Sequence, residues 1–192
     1  VKNARRTLLA GFTTVRDVGT YRAFVDIALR DAINDGLVMG PRMAVAGAYI
    51  TVSSGGGEVT GLAADVQIPA EMRMGVANSP DEVRQRVREI LNRGADLIKV
   101  IATGAVLTPG TKPGVEEMSE EEIHAAVTEA AKYGARVAAH AHGAEGIKAA
   151  VRAGVASIEH GSHIDDEGIP LMKQKGTYLD ADIYNGDYIA SV

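Results

Sequence analysis

Residues 134–160 read GARVAAHAHGAEGIKAAVRAGVASIEH and contain two copies of one unit. In each copy a Gly is followed by a short apolar run that ends in His, first at His140 and then at His160. Gly just past a helix is a common left-handed cap, and a run that is apolar on both faces is typical of a buried parallel strand. The segment therefore predicts a strand–helix–strand unit.

The same alternation extends along the chain. Strands are predicted near 12–17, 42–47, 96–101, 135–141, 156–160 and 177–182, with a first helix over 2–10. Helix starts are predicted at two capping boxes, Ser79-Pro80-Asp81-Glu82 and Ser119-Glu120-Glu121-Glu122. Strands that alternate with helices predict an α/β fold with a parallel sheet. Since no linker divides the chain, we expect residues 1–192 to form a single domain.

Two Gly-rich loops, 48–78 and 102–118, are long for an α/β fold, and each follows a predicted strand. Loops after strands lie on the face that carries function in such folds. We therefore expect both to shape a site, although a tolerated insertion is the alternative.

Polar side chains recur at one height, five or six residues after the Gly that precedes each strand. They are Asp17, Lys99, His140, His160 and Asp182. A barrel would bring these strand ends together in a ring. The shared height is the signal, because each residue alone has an ordinary explanation.

The histidines are the first candidates for metal binding. Taken alone, a buried His is more often a hydrogen-bonded core residue. His140 and His142 would face the same side if the strand continues through both, and His160 ends the next strand. Imidazoles converging from adjacent strands favour a site for Zn, Mn, Fe or Co.

Lys99 lies within the apolar run LIKVI. Burial penalises an ammonium without a partner and drives the amine towards its neutral, nucleophilic form. Such an amine could form a Schiff base with a carbonyl compound, or take up carbon dioxide as an anionic carbamate. An ion pair with a neighbouring acid is the structural alternative.

The remaining candidates have weaker signals. Asp17 follows Arg16, so a structural ion pair is expected there, and His124 is expected on the solvent face of a helix. His163 could contact substrate from its loop. Tyr184, near the end of the last predicted strand, is a substrate contact or a packing residue.

Several motifs together resemble the amidohydrolase superfamily, in its imidazolonepropionase-like and Xaa-Pro dipeptidase-like branch. They are TLLAGFTTVRDVG, IKVIATGA, AHAHGAEGIKAAV and SIEHGSHIDDEGI. The resemblance implies a (β/α)8 TIM barrel and a metal-dependent hydrolase. The implied reaction is hydrolysis of an amide or peptide bond in a dipeptide or N-acyl amino acid. Water activated by one or two divalent ions, expected to be zinc, would carry it out.

The resemblance also implies residue roles. Lys99 would be carboxylated and bridge two metals, and His140 and His160 would bind the second of them. His142 would then contact substrate or support the ligands, and His142 or Tyr184 could stabilise the developing oxyanion. His163 and Tyr184 stay candidate substrate contacts on the residue pattern alone. We prefer His140 to His142 as the ligand because His140 ends the apolar run.

The chain departs from the family pattern at both ends. A first-strand His-x-His pair and an eighth-strand aspartate have no match here. We therefore expect an internal piece of a longer enzyme, about strands two to seven, that is inactive alone. A Schiff-base aldolase using Lys99 and an inactive truncated relative are the rival hypotheses.

Composition limits the classes of binding partner and of site that we expect for this chain. A net charge of −5 argues against nucleic acid, and no apolar run is long enough to span a membrane. With no Cys there is neither a disulfide framework nor a thiolate metal site. We expect a small-molecule substrate and leave a homo-oligomer open. Of the possible compartments, the cytoplasm is favoured.

Overall fold

The structure is a computed structural model and describes residues 1–181, so the candidates Asp182 and Tyr184 lie outside the described residues. Its strands are β1 Thr14–Asp17, β2 Arg42–Val45, β3 Tyr49–Ile50, β4 Ile98–Ile101, β5 Val137–Ala141, β6 Ser157–His160 and β7 Tyr178–Asp180. Its helices are α1 Lys2–Leu9, α2 Val25–Asn34, α3 Pro80–Asn92, α4 Glu120–Ala131, α5 Ala144–Ala153 and α6 Gly168–Lys175, with a 3-10 turn at Ala70–Met72. Within residues 1–181, no helix is long and apolar enough to cross a membrane.

All six predicted strands are present, and each is one to three residues shorter than predicted. A further strand, β3, lies inside the predicted loop 48–78. It is only two residues long, too short to produce a periodic pattern, and it pairs with β4 through Tyr49 opposite Lys99. That predicted loop therefore begins with a piece of sheet.

Every strand pairing among the described residues is parallel, in the orders β1-β2 and β3-β4-β5-β6-β7. The two sheets are joined beside β2, where the Asp96 N–H donates to the Val45 carbonyl at 2.8 Å. The chain kinks between β2 and β3 at Gly47, whose φ is +72°. A Cβ at this glycine would lie 3.1 Å from the Phe24 ring, so both the backbone angle and the space favour glycine.

Side chains alternate between two buried layers. Ile98 and Val100 of β4 belong to the large core formed with the helices. Leu97 belongs to a small separate cluster with Ala46 and Ala138, on the opposite face of the strands. Lys99 shares this inner face with Leu97, since residues two apart point to the same side.

Arg16 shows how far the sheet curves. Its guanidinium, from β1, donates to both Glu159 carboxylate oxygens on β6 at 2.8 Å and to Asp180 on β7 at 3.0 Å. Side chains from the two ends of the strand order therefore meet in the interior. The prediction of an ion pair between Arg16 and Asp17 is wrong. The Asp17 carboxylate instead accepts the Gly19 N–H at 3.0 Å. Burial is the main cause that raises the pKa of Asp17.

The predicted helix starts are present, with one difference. Ser119 and Glu122 form a complete capping box at α4. At α3 the Ser79 hydroxyl accepts the Glu82 N–H, but the Glu82 carboxylate accepts the Asn78 N–H at 2.7 Å. The acidic residue thus reaches one residue further back than the motif predicts. That residues 1–192 form one domain stays a prediction.

Candidate metal centre

Three imidazoles converge at the carboxyl ends of β5 and β6. One ring nitrogen each from His140, His142 and His160 lies within 4.8 Å of the others. The ring centroids are 4.6 Å apart for His140 and His142, 4.7 Å for His140 and His160, and 4.9 Å for His142 and His160. Such a group matches the donor set of transition-metal sites.

The backbone at His160 departs from regular strand geometry. Its φ is +73°, a left-handed value that is uncommon outside glycine. Glu159 already faces the interior, where it meets Arg16. The next residue of a regular strand would point outward, so the left-handed angle is what allows His160 to join the cluster.

His140 lies in an environment that favours a neutral ring. Burial, followed by the charge of nearby Lys99, lowers the pKa of His140 to about 3. Its Nε2 lies 3.3 Å from the Gly104 carbonyl, which can only accept a hydrogen bond. The proton of the neutral ring therefore sits on Nε2, and Nδ1 keeps a free lone pair for a metal.

His142 is held by two neighbours that sequence reasoning missed. Its backbone N–H donates to the Thr103 hydroxyl at 3.0 Å, and its Nδ1 shares a hydrogen bond with the Ser162 hydroxyl at 2.8 Å. The strand ends at Ala141, one residue earlier, yet the His142 ring still faces the cluster. Both partners lie in quoted motifs, IATG and EHGSH, but their hydroxyls gave no spacing signal.

Lys99 lies below this cluster on the inner face of β4. The residue is only 3% exposed. It pairs in register with Ala138, two residues before His140, and its charge contributes to the depressed pKa of His140. The Lys99 side chain thus faces the interior of the barrel rather than the helices, and its role as a metal ligand stays a prediction.

Among the described residues, the candidates His163 and His124 are not part of the histidine cluster. His163 is exposed, and its backbone N–H donates to the His142 carbonyl at 2.9 Å. Its contact with substrate stays a prediction, as does the role of Tyr184. His124 is exposed on the solvent face of α4, as expected, with Nδ1 3.3 Å from the Ala153 carbonyl.

A cavity of about 270 Å³ opens directly onto the three histidines. Both long loops contribute to its lining, through Gly56 and Gly57 of the first and residues 105–108 of the second. Tyr21 and Tyr49 complete one wall, with ring centroids 5.8 Å apart in an edge-to-face contact. Burial is the main cause that raises the Tyr49 pKa, so this phenol stays protonated. The tyrosines lie too far from the His motifs in sequence to have been found by spacing.

A family model described as the Amidohydrolase family matches residues 1–190. This chain belongs to the amidohydrolase family. Among curated proteins it is similar to the ochratoxinase of Aspergillus niger, with 38% identity over 178 residues. That match covers 86% of this amidohydrolase chain and 36% of the ochratoxinase.

Solved structures of related proteins agree in fold. A crystal structure of a Xaa-Pro dipeptidase with methionine bound in its active site has a TM-score of 0.92 and 43% identity, over 99% of this amidohydrolase chain and 47% of that one. The crystal structure of A. niger ochratoxinase has a TM-score of 0.86 and 33% identity, over 99% and 46%. The fold is thus an incomplete (β/α)8 TIM-type barrel, as predicted, and the chain spans less than half the length of these relatives.

Proposed function

We propose that the protein containing this chain hydrolyses an amide or peptide bond in a small substrate with the help of a bound divalent metal. The substrate class that fits is a dipeptide or an N-acyl amino acid. The observation that carries the proposal is the convergence of three imidazole nitrogens within 4.8 Å at the mouth of an amidohydrolase barrel. The matched Xaa-Pro dipeptidase and ochratoxinase support the bond class.

The residues present fit a metal ion. His140 and His160 are proposed ligands, and the His142 ring belongs to the same group of nitrogens within 4.8 Å of one another. The low pKa of His140 keeps its ring neutral, so that it offers a lone pair rather than a positive charge. Lys99 is the further proposed ligand, as a carbamate formed with carbon dioxide, because an ammonium would repel a cation. Zinc suits such nitrogen and oxygen donors.

A bound divalent ion would supply Lewis-acid activation of water and of the scissile carbonyl. The residues of the chain itself would orient the catalytic groups and enclose the substrate. Thr103 and Ser162 orient His142, which we propose to stabilise negative charge that develops on the carbonyl oxygen. The loops around Gly56 and Ala105 enclose the substrate and limit access of bulk water.

A Schiff-base aldolase that uses Lys99 is the rival chemistry. Lys99 alone fits it, but it assigns no role to the histidine cluster, and family membership favours hydrolysis. An inactive relative is the other rival. It would keep the fold and lose turnover.

The test uses the complete reading frame that carries residues 1–192. We expect the purified protein to contain a divalent metal by elemental analysis and to hydrolyse a panel of dipeptides and N-acyl amino acids. The substitutions His140→Asn and His160→Asn should each lower metal occupancy and cut kcat/KM at least about 100-fold. Loss of a residue that only hydrogen-bonds a metal ligand already lowers metal affinity or activity by about 10–100-fold.

His124→Asn is the matched control, since this exposed histidine lies on α4 and is not part of the cluster, and it should leave metal content and rate unchanged. A metal-free protein whose Lys99 is trapped by borohydride with a carbonyl substrate would establish the aldolase instead. Full metal occupancy without turnover on any amide would favour the inactive relative.

A further inference from the structure

The cavity above the histidines has a mostly apolar lining, although its mouth faces water. Apart from the histidines, the described residues around it are uncharged, and its outer wall carries two consecutive large apolar side chains, Val106 and Leu107. Val106 is 53% exposed and Leu107 is 74% exposed. Apolar groups at a cavity mouth gain stabilisation when a ligand covers them.

The loop that presents these two side chains is anchored on both sides of them. The Thr108 hydroxyl donates to the Gly56 carbonyl at 2.6 Å, which ties the loop to the facing Gly-rich loop. The Ala105 N–H donates to the Thr111 hydroxyl at 3.2 Å, and the same hydroxyl lies 3.1 Å from the Ala105 carbonyl. Residues 106 and 107 are thus held between fixed points rather than on a free tip.

We infer that Val106 and Leu107 are specificity-determining residues that select a neutral, apolar side chain next to the scissile bond. This inference rests on the proposed function and names the substrate class of the same site. A charged side chain in this position would lose water and find no opposite charge among the described lining residues, which is unfavourable. An unbranched apolar chain would cover Val106 and Leu107 without that cost.

The first test measures binding without turnover. The probes are the amino acids norleucine, lysine and glutamate, added by calorimetry to the complete metal-loaded protein. Norleucine and lysine have side chains of similar length, so the comparison isolates charge. We expect norleucine to bind at least about ten times more tightly than either charged probe, and equal affinities would overturn the inference.

The second test changes the wall. Leu107→Lys should raise kcat/KM for a glutamate-containing substrate relative to its norleucine counterpart by at least about tenfold, and Leu107→Glu should do the same for the lysine substrate. Because Leu107 is mostly exposed, both variants should fold. Val115→Lys is the matched control, since Val115 is 54% exposed on the same loop and is not part of the cavity lining.

The outcomes separate the two claims. A preference ratio that stays within threefold of the wild type in both Leu107 variants would overturn the specificity inference while hydrolysis stands. Tight norleucine binding that Leu107→Lys weakens, with no hydrolysis of any amide, would overturn the proposed function and still support the apolar wall.

Discussion

The interior ion pair between Arg16 and Glu159 provides the sharpest test of how this half-barrel is held together. Glu159 has a side chain only 8% exposed, and Arg16 is 32% exposed. The carboxylate also accepts the Ser157 hydroxyl at 2.6 Å. Arg16→Met would leave Glu159 buried with this single hydroxyl and no cation.

The expected magnitude follows from burial. Removing one partner of a buried pair costs about 3–5 kcal/mol, and the partial exposure of Arg16 lowers our expectation to about 2–3 kcal/mol. Glu159→Gln should cost less, because the amide keeps polar contacts and Arg16 keeps Asp180 at 3.0 Å. In the double variant no carboxylate is stranded, so the two single losses should exceed the double loss by about 1–2 kcal/mol.

The assay is urea denaturation of the complete protein at pH 7, with the free energy of unfolding taken from each of the four forms. Arg84→Met is the matched control. Its partner Asp81 is 96% exposed, so that loss should stay within about 0.5 kcal/mol. Additive single losses at positions 16 and 159, or an Arg16→Met loss no larger than the control, would refute the reasoning.

Two further predictions concern the pH dependence of stability and the activity of residues 1–192 when they are expressed alone. Glu129 is hydrogen-bonded by Arg88 and Lys132, which lower its pKa to about 2 from 4.5. Its stabilisation is present above pH 4.5 and is lost as the pH falls towards 2. Because both cations are more than half exposed, the loss should be about 1–2 kcal/mol, measured by urea denaturation at pH 6 and pH 3. Glu129→Gln should reduce the loss of stability between pH 6 and pH 3 by this amount. A loss as large in the variant as in the wild type would contradict the role given to Glu129. Residues 1–192 expressed alone with added zinc should hydrolyse no substrate at the rate of the complete protein, since the matched relatives are more than twice as long. Equal turnover would contradict this expectation.

Periodic features were predictable from the sequence, and they account for most of the fold. A Gly followed by a buried run recurs at each strand, so strand positions and the heights of Lys99, His140 and His160 followed from counting residues. These features depend on local chemistry, namely left-handed caps and apolar runs. The structure confirms the parallel α/β barrel that they predict.

Features that depend on contacts across the interior were not predictable in this way. Arg16 finds its partners more than 140 residues away on β6, whereas sequence proximity had favoured Asp17. The strand β3 exists because β4 pairs with it, not because two residues carry a pattern. The hydroxyl support of His142 likewise requires two loops to meet in space.

The backbone at His160 links the ion pair between Arg16 and Glu159 to the candidate metal centre. Glu159 must face inward to meet Arg16, and His160 must face the same interior to join His140. Adjacent residues of a regular strand cannot both do so, and the chain resolves the conflict with a left-handed His160 followed by Gly161 at φ +64°. A left-handed non-glycine residue costs about 1–2 kcal/mol, and such strain persists only where the surroundings hold it. Here Arg16 holds β6 in position through four hydrogen bonds, which it donates to Ser157, Glu159 and Asp180.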